Sequence, residues 1–302
     1  MTFQRIGILS LGEMGFHWTR LLRGHGVDVL TYLKGRGEVT RKRAENAGAR
    51  PVRSLAWLVS ESDLIVSLVV PSAAKRVASK VAKAILKVGK KDFLYLDANA
   101  TSPMTAKVME QHLVTSHASL IDGCIIGSAM KLSESAAIYV SGPKAEQMKA
   151  LGQLGLSVNV LGTEIGQASA FKIVYAGLTK GLQGLLVELL IGAKKFGLLD
   201  EILLRYDQSF PGLVSRLGPS ITALPIHAGR RAEEMVELRQ TFRYHGLKAV
   251  MAPATQKVLR SIAALNVEIK ASETGTREGS PIETLELLFQ QGLLQERNSR
   301  SG

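Results

Sequence analysis

Two stretches of this chain carry residue types and spacings suited to chemistry on a phosphate-bearing ligand. The first, Ile6 to Gly15, reads IGILSLGEMG, an apolar run ending in a turn that opens into Trp18, Leu21 and Leu22 at helical spacing. A strand-to-helix turn of this kind aims backbone N–H groups and the positive end of a helix dipole at an anion. Gly12 lets the backbone approach a dinucleotide pyrophosphate and Gly15 lets the helix pack closely on the strand, so Ser10, Leu11, Gly12, Glu13, Met14 and Gly15 form the expected cradle. Ser10 stands where such turns usually carry their first glycine, and serine tolerates a positive φ less well.

The second stretch follows the next apolar run, Val27 to Tyr32, and reads LKGRGEVTRKR. A site selective for NAD usually places Asp or Glu there to hold the ribose diol, whereas a 2′-phosphate needs cations. Lys34 and Arg36, with Arg41 behind them, therefore point to NADP (NADPH) as the cofactor. Val69, Val70 and Pro71, at the end of the run LIVSLVV, complete the expected cofactor site.

Net charge is +12, and from Thr31 to Lys91 there are fourteen Lys or Arg against four Asp or Glu. A solvated basic face and a phosphate-bearing ligand both account for that surplus. Nucleic acid is not expected, because aromatics do not interleave the cations and no binding motif is present. No metal site is expected either. The single cysteine, Cys124, cannot form an internal disulfide and lies in an apolar run, so it reads as a core residue and the cytoplasm as the expected compartment. The N-terminus begins an amphipathic strand and not a charged leader. The apolar segment Ile173 to Ala193 is interrupted by Lys180, Gln183 and Glu188, which reads as a buried helix and not a membrane span.

These groups need a scaffold. Arg5–Leu9, Val27–Tyr32, Leu64–Val70, Phe93–Leu96, Leu120–Ile125, Ala137–Val140 and Val158–Leu161 have strand length, and several are apolar throughout, which suits strands covered on both faces. The spacing predicts an α/β fold: a Rossmann-type, doubly wound parallel sheet over residues 1–162, followed by a smaller all-α domain over 163–302. Gly166 to Phe196 reads as one long helix, with Gly177, Gly181 and Gly184 as small contact points. The rest, to about Leu294, shows helical periodicity without a convincing strand, and the tail from Gln295 is polar and expected to fray.

The turn SLGEMG resembles the GLGxMG turn of the β-hydroxyacid dehydrogenases and their relatives, the 6-phosphogluconate dehydrogenases, and three further segments resemble that superfamily in the same order. LDANATSP, Leu96 to Pro103, is similar to the DxSTxxP stretch beside the nicotinamide, with Asn99 and Ala100 replacing the Ser-Thr pair. By that resemblance Asn99 serves cofactor or substrate, as donor and acceptor, although an Asn capping the turn is the alternative. IDGCIIGS, Ile121 to Ser128, is similar to the DAPVSGG loop that holds a substrate carboxylate; Asp122 and Gly127 match it, and the resemblance assigns Ile126, Gly127 and Ser128 to substrate. GQASAFKIVYAG, Gly166 to Gly177, is similar to the GxGxxxKxxxN helix whose lysine is catalytic, and Lys172 falls on that position while Ala176 replaces the Asn. A lysine in an otherwise apolar run must also reach a polar site, and burial beside an oxidised nicotinamide would lower its pKa. The overall pattern resembles a divergent branch with a short helical domain of uncertain function.

The resemblance implies an NADP-dependent oxidoreductase that transfers a hydride between nicotinamide and a hydroxyl or carbonyl carbon of a small organic substrate. Lys172 is then the proton-transfer group, reaching the crevice between the lobes. An imine reductase shares the architecture, and a catalytically inactive NADP-binding regulator is a different class altogether. The acid and tyrosine of true 6-phosphogluconate dehydrogenase are replaced by Thr179 and Lys180. In the second domain, His227, Arg230 and Arg231 precede Glu233, Glu234 and Glu237. The arginines either pair with those acids on a solvated face or close over substrate, and Tyr175 is a candidate wall residue. Homodimerisation through the helical domain is expected from the same resemblance.

Overall fold

The computed structural model describes residues 2–265 and 280–295. The chain forms two compact units, residues 1–172 and 173–302. The polar tail expected beyond Gln295 lies outside the described residues, as does the stretch 266–279.

In the first unit eight strands form one sheet: β1 (Arg5–Leu9), β2 (Asp28–Thr31), β3 (Arg50–Pro51), β4 (Leu64–Ser67), β5 (Phe93–Asp97), β6 (Ala118–Ile126), β7 (Ala137–Ser141) and β8 (Ser157–Gly162). They lie in the order β3-β2-β1-β4-β5-β6-β7-β8. The crossovers carry α1 (Glu13–Gly24), α2 (Glu38–Asn46), α3 (Leu55–Glu61), α4 (Pro71–Val88) and α5 (Pro103–Val114). Alternate residues of each strand feed two cores: Ile6, Ile8, Leu64 and Val66 pack with Trp18 on one face, while Ile65 and Tyr95 pack with Leu58, Val81 and Leu113 on the other. This double burial explains the apolar runs.

The sheet is mostly parallel and departs from the expected all-parallel arrangement at one pair. β7 runs antiparallel to β6, Asp122 facing Ser141 and Ile126 facing Ala137. Ten residues join them, too few to cross back over the sheet, so a hairpin forms. The two-residue edge strand β3 was not expected, being too short to leave a pattern. The run Leu64 to Val70 ends as strand at Ser67, because Pro71 opens α4 with Val70 as its N-cap.

The long helix α6 (Gln167–Phe196) begins in the first unit and continues into the second. The second unit adds α7 (Leu199–Ser209), α8 (Leu213–Thr222), α9 (Leu224–Tyr244), α10 (Met251–Ala264) and α11 (Pro281–Gln290), with no strand among the described residues. α6 is long and apolar enough to cross a membrane by length and composition alone. Its Val187 and Leu190 instead belong to a core with Leu224, Met235, Leu259 and Leu288. Gly177 and Gly184 are close-contact points, against Leu238 and Thr255, but a Cβ at Gly181 would meet nothing within 4 Å, so Gly181 is not one.

Candidate active site

The turn between β1 and α1 holds Ser10 at φ 81°, in the left-handed region that glycine enters most easily. The missing glycine is thus replaced by a residue that takes up the same backbone shape at a cost. Gly15 is needed by the protein itself: a Cβ there would overlap the Ser10 carbonyl oxygen. Gly12 is different. Its φ is −67°, open to any residue, and a Cβ would meet nothing within 4 Å. Neither backbone shape nor packing calls for glycine there, whereas an anion lying against the backbone would. Gly12 is also the N-cap of α1 and supplies no side-chain cap, so the first-turn N–H groups remain available. These features fit a dinucleotide pyrophosphate.

Beyond β2, Lys34 and Arg36 are exposed, and neither joins an ion pair among the described residues. Arg41 donates from Nε to the Arg36 carbonyl at 3.0 Å, which steadies the loop. Glu38, the acidic residue of this stretch, pairs with Lys42 at 2.8 Å. Val69 is buried and Val70 exposed just ahead of Pro71.

A row of buried polar residues crosses the sheet at one level. Ser67 on β4 faces Asp97 on β5, which faces Asp122 on β6, which faces Ser141 on β7. Asn99, itself buried, donates from Nδ2 to Ser67 Oγ at 3.1 Å and to Asp97 Oδ1, while its Oδ1 has no partner. A buried acceptor left unmade is costly, and a donor such as a carboxamide or ribose hydroxyl would satisfy it. Burial first, and then the neighbouring Asp122, push Asp97 up to about 7.

Asp122 is fully buried and organises the start of α6. Its Oδ2 accepts from Gly166 N at 3.0 Å, Ser169 N at 2.9 Å and Ser141 Oγ at 3.3 Å, and its Oδ1 accepts from Ser169 Oγ at 2.6 Å. Ala168 N donates to Ser141 Oγ at 3.0 Å. Three first-turn N–H groups, which a helix cannot satisfy internally, thus find side chains of β6 and β7. Gly166 sits at φ 104°, against Pro103, which only glycine does easily.

One turn on, Lys172 is half-buried and donates from Nζ to the Ile125 carbonyl at 2.8 Å. Its ammonium therefore lies at the end of β6, next to Ile126, Gly127 and Ser128. Gly127 has φ 123° and a Cβ there would press on Ala136, so its glycine is structural. Ser128 Oγ accepts from Met130 N at 3.3 Å and caps a short 3-10 turn. Cys124 is buried and its thiol is pushed up to about 12 by burial, which fits a core residue.

In the helical unit Tyr175 is half-exposed. Arg230 pairs with Glu234 at 2.8 Å, as the solvated-face expectation had it, and Lys180 joins the same carboxylate at 2.8 Å. Arg231 overturns that expectation: it is 8% exposed and donates to Gln183 Oε1 at 3.1 Å and the Ser220 carbonyl at 2.9 Å. On the inner side of α9, against α6, it joins no ion pair among the described residues, although the charge of Glu234 still acts on it.

Sequence reasoning marked Asp122 only as a motif match and passed over Ser67, Ser141 and Ser169. The available signal was a polar residue at an inward position of an otherwise apolar strand or helix.

Residues 5–161 match the NAD binding domain of 6-phosphogluconate dehydrogenase, and residues 193–262 match a domain of unknown function, DUF1932. An uncharacterised 28.5 kDa protein of Methanothermus fervidus is 29% identical over 259 residues, 85% of this chain and 98% of its own. A conserved protein of unknown function, described as structurally similar to 3-hydroxyacid dehydrogenases, is 28% identical with a TM-score of 0.72, over 86% of this chain and 97% of its own. The 3-hydroxyisobutyrate dehydrogenase of Mycobacterium tuberculosis, solved with L-serine, shares the fold at 16% identity and a TM-score of 0.73, over 95% of this chain and 99% of its own. With more than half of its length matched, the chain belongs to the family of the NAD-binding domain of 6-phosphogluconate dehydrogenase, with a hydroxyacid-dehydrogenase-like fold.

Proposed function

We propose that this chain is a soluble, cytoplasmic, NADP-dependent oxidoreductase acting on a hydroxyl or carbonyl carbon of a small organic substrate. The observation that carries the reading is Lys172, an ammonium held at 2.8 Å from the Ile125 carbonyl beside the Ile126–Ser128 loop. The cofactor would supply the hydride chemistry when bound.

The chain's own residues have distinct tasks in this reading. The turn Ser10–Gly15 holds the pyrophosphate, with Val69, Val70 and Pro71 beside it. Lys34 and Arg36, backed by Arg41, hold the 2′-phosphate. Asn99 orients the nicotinamide end or a substrate oxygen. Lys172 takes the hydroxyl proton as its neutral amine in oxidation and, as the ammonium, returns it to the carbonyl oxygen in reduction. The loop Ile126, Gly127 and Ser128 receives the polar end of the substrate, and Tyr175 serves as a wall. Arg230 is the cation free to meet an anionic group by exchanging Glu234, whereas Arg231 ties helices together.

A homodimer through the helical domain belongs to the same reading. Val174, Leu178, Leu185, Leu189 and Phe196 are all exposed and recur along one side of α6, an apolar stripe that a second copy would cover.

The test is direct. NADPH should bind more tightly than NADH at low salt, and turnover should appear with a member of a panel of hydroxy acids, ketones and imines. Lys172→Ala should lower that turnover at least about a hundredfold while keeping cofactor affinity. Full activity in that variant removes Lys172 from the mechanism. Cofactor binding without turnover on any panel member would leave a regulator.

A further inference from the structure

We infer that Asp122 is a positioning residue for Lys172: by clamping the first turn of α6 it fixes where the ammonium stands.

Asp122 and the acceptor of the lysine lie on the same strand, three residues apart, and Ser169 and Lys172 lie three residues apart on the helix. Ser169 Oγ reaches Asp122 Oδ1 at 2.6 Å and Lys172 Nζ reaches the Ile125 carbonyl at 2.8 Å. Residues three apart share a helix face, so one face of α6 makes two successive attachments to β6. The first is charge-assisted and multiple: two backbone N–H groups and two hydroxyls converge on one fully buried carboxylate. The second is made by the far end of a long, flexible side chain. A helix start that slipped by one residue would turn Lys172 by about 100°, away from Ile125. The rigid attachment therefore sets the position of the flexible one. Ser141 extends the clamp, since its hydroxyl donates to Asp122 and accepts from Ala168 N at 3.0 Å.

Asp122 matters to turnover only if Lys172 transfers the proton as proposed above, yet its hold on Lys172 is measurable without cofactor or substrate. The experiment is pulsed acetylation of the whole protein with an amine-directed reagent, reading the labelling rate of each lysine by mass spectrometry. Lys90 serves as an internal control. It lies in the same unit, is half-buried, and donates from Nζ to the carbonyls of Val59, Ser60 and Ser62 at 3.0, 3.1 and 2.6 Å. In Asp122→Ala the labelling rate of Lys172 should rise about tenfold or more while that of Lys90 stays unchanged, the signature of local opening. Asp122→Asn should fall between, because its amide offers one acceptor and turns a donor toward the N–H groups. If neither lysine speeds up in Asp122→Ala, Asp122 does not position Lys172. If both do, the unit as a whole has loosened and Ser169→Ala decides. That variant removes only the 2.6 Å bond. A rise at Lys172 alone upholds the clamp, and no selective rise overturns it.

Discussion

Asp97 and Asp122 are direct partners across β5 and β6, and neither is exposed to solvent. Two carboxylates this close in a dry interior do not both carry charge easily, and their surroundings decide between them. Asp122 receives four donors. Asp97 receives Asn99 Nδ2, the Asn99 backbone N–H and a long contact of 3.4 Å from Thr101 Oγ1. Burial raises both, and the larger set of donors around Asp122 pulls against it more, which favours the negative charge there. One acid anchors the helix that carries Lys172, and the other sets the charge beside Asn99.

This division gives stability a pH dependence. The Asp97 carboxyl moves from an ordinary value of 3.8 to about 7 in the folded protein. Between those values the folded state holds a proton that the unfolded chain has lost. The stabilisation linked to it is therefore complete below about pH 4 and disappears as pH rises through about 7, a span worth roughly 2–4 kcal/mol. Thermal melts should show the melting temperature falling from pH 5 to pH 8 beyond the change in Asp97→Asn. Parallel curves for the two proteins would mean that Asp97 is ionised throughout.

The two glycines of the nucleotide turn should respond oppositely to alanine. Gly15→Ala places a methyl on the Ser10 carbonyl, which no rotamer relieves, so stability should drop by about 2 kcal/mol or more. Gly12→Ala adds a methyl with nothing within 4 Å, so stability should stay within about 0.5 kcal/mol while NADPH affinity falls. Denaturant titration paired with cofactor titration separates the outcomes. Unaltered affinity in Gly12→Ala would take the pyrophosphate away from this turn.

Much of this arrangement was legible before the structure. LIVSLVV and its counterparts announce strands buried on both faces, and IGILSLGEMG announces the strand-to-helix turn from β1 into α1. The reversed β7 was not legible, because its sequence is apolar whichever way it runs and only the short connection from β6 decides. Asp122 was visible as a motif residue but not as an anchor, since three of its four donors come from Gly166 and Ser169, more than forty positions away. Arg231 was misplaced because a charged run such as RRAEE reads as a surface until a neighbouring helix covers one of its residues.

Cofactor choice should depend on the loop after β2. Among the described residues Lys34 and Arg36 have no carboxylate partner, and each would add a charge-assisted bond to a 2′-phosphate that NADH lacks. Lys34→Ala with Arg36→Ala should weaken NADPH about tenfold or more and leave NADH nearly unchanged, and the salt sensitivity of NADPH binding should diminish with it. Calorimetric titration with both nucleotides is sufficient. Equal losses for the two would assign these cations to the general field of the basic segment.

Arg231 should prove a structural residue of the helical unit. Its guanidinium is buried with Gln183 and the Ser220 carbonyl as acceptors, so α6, α8 and α9 meet at one side chain. Truncation to alanine would strand both acceptors and open a void, at a cost of about 3 kcal/mol. Arg231→Met restores much of the volume and removes the buried charge, but still leaves Gln183 and Ser220 unsatisfied, and should cost less than alanine. Adding Gln183→Leu to the methionine variant removes one of those acceptors and should recover part of the loss, a coupling that a double-mutant cycle in urea reads directly. Were Arg231 instead reserved for substrate, its removal would lower turnover with no change in the unfolding midpoint.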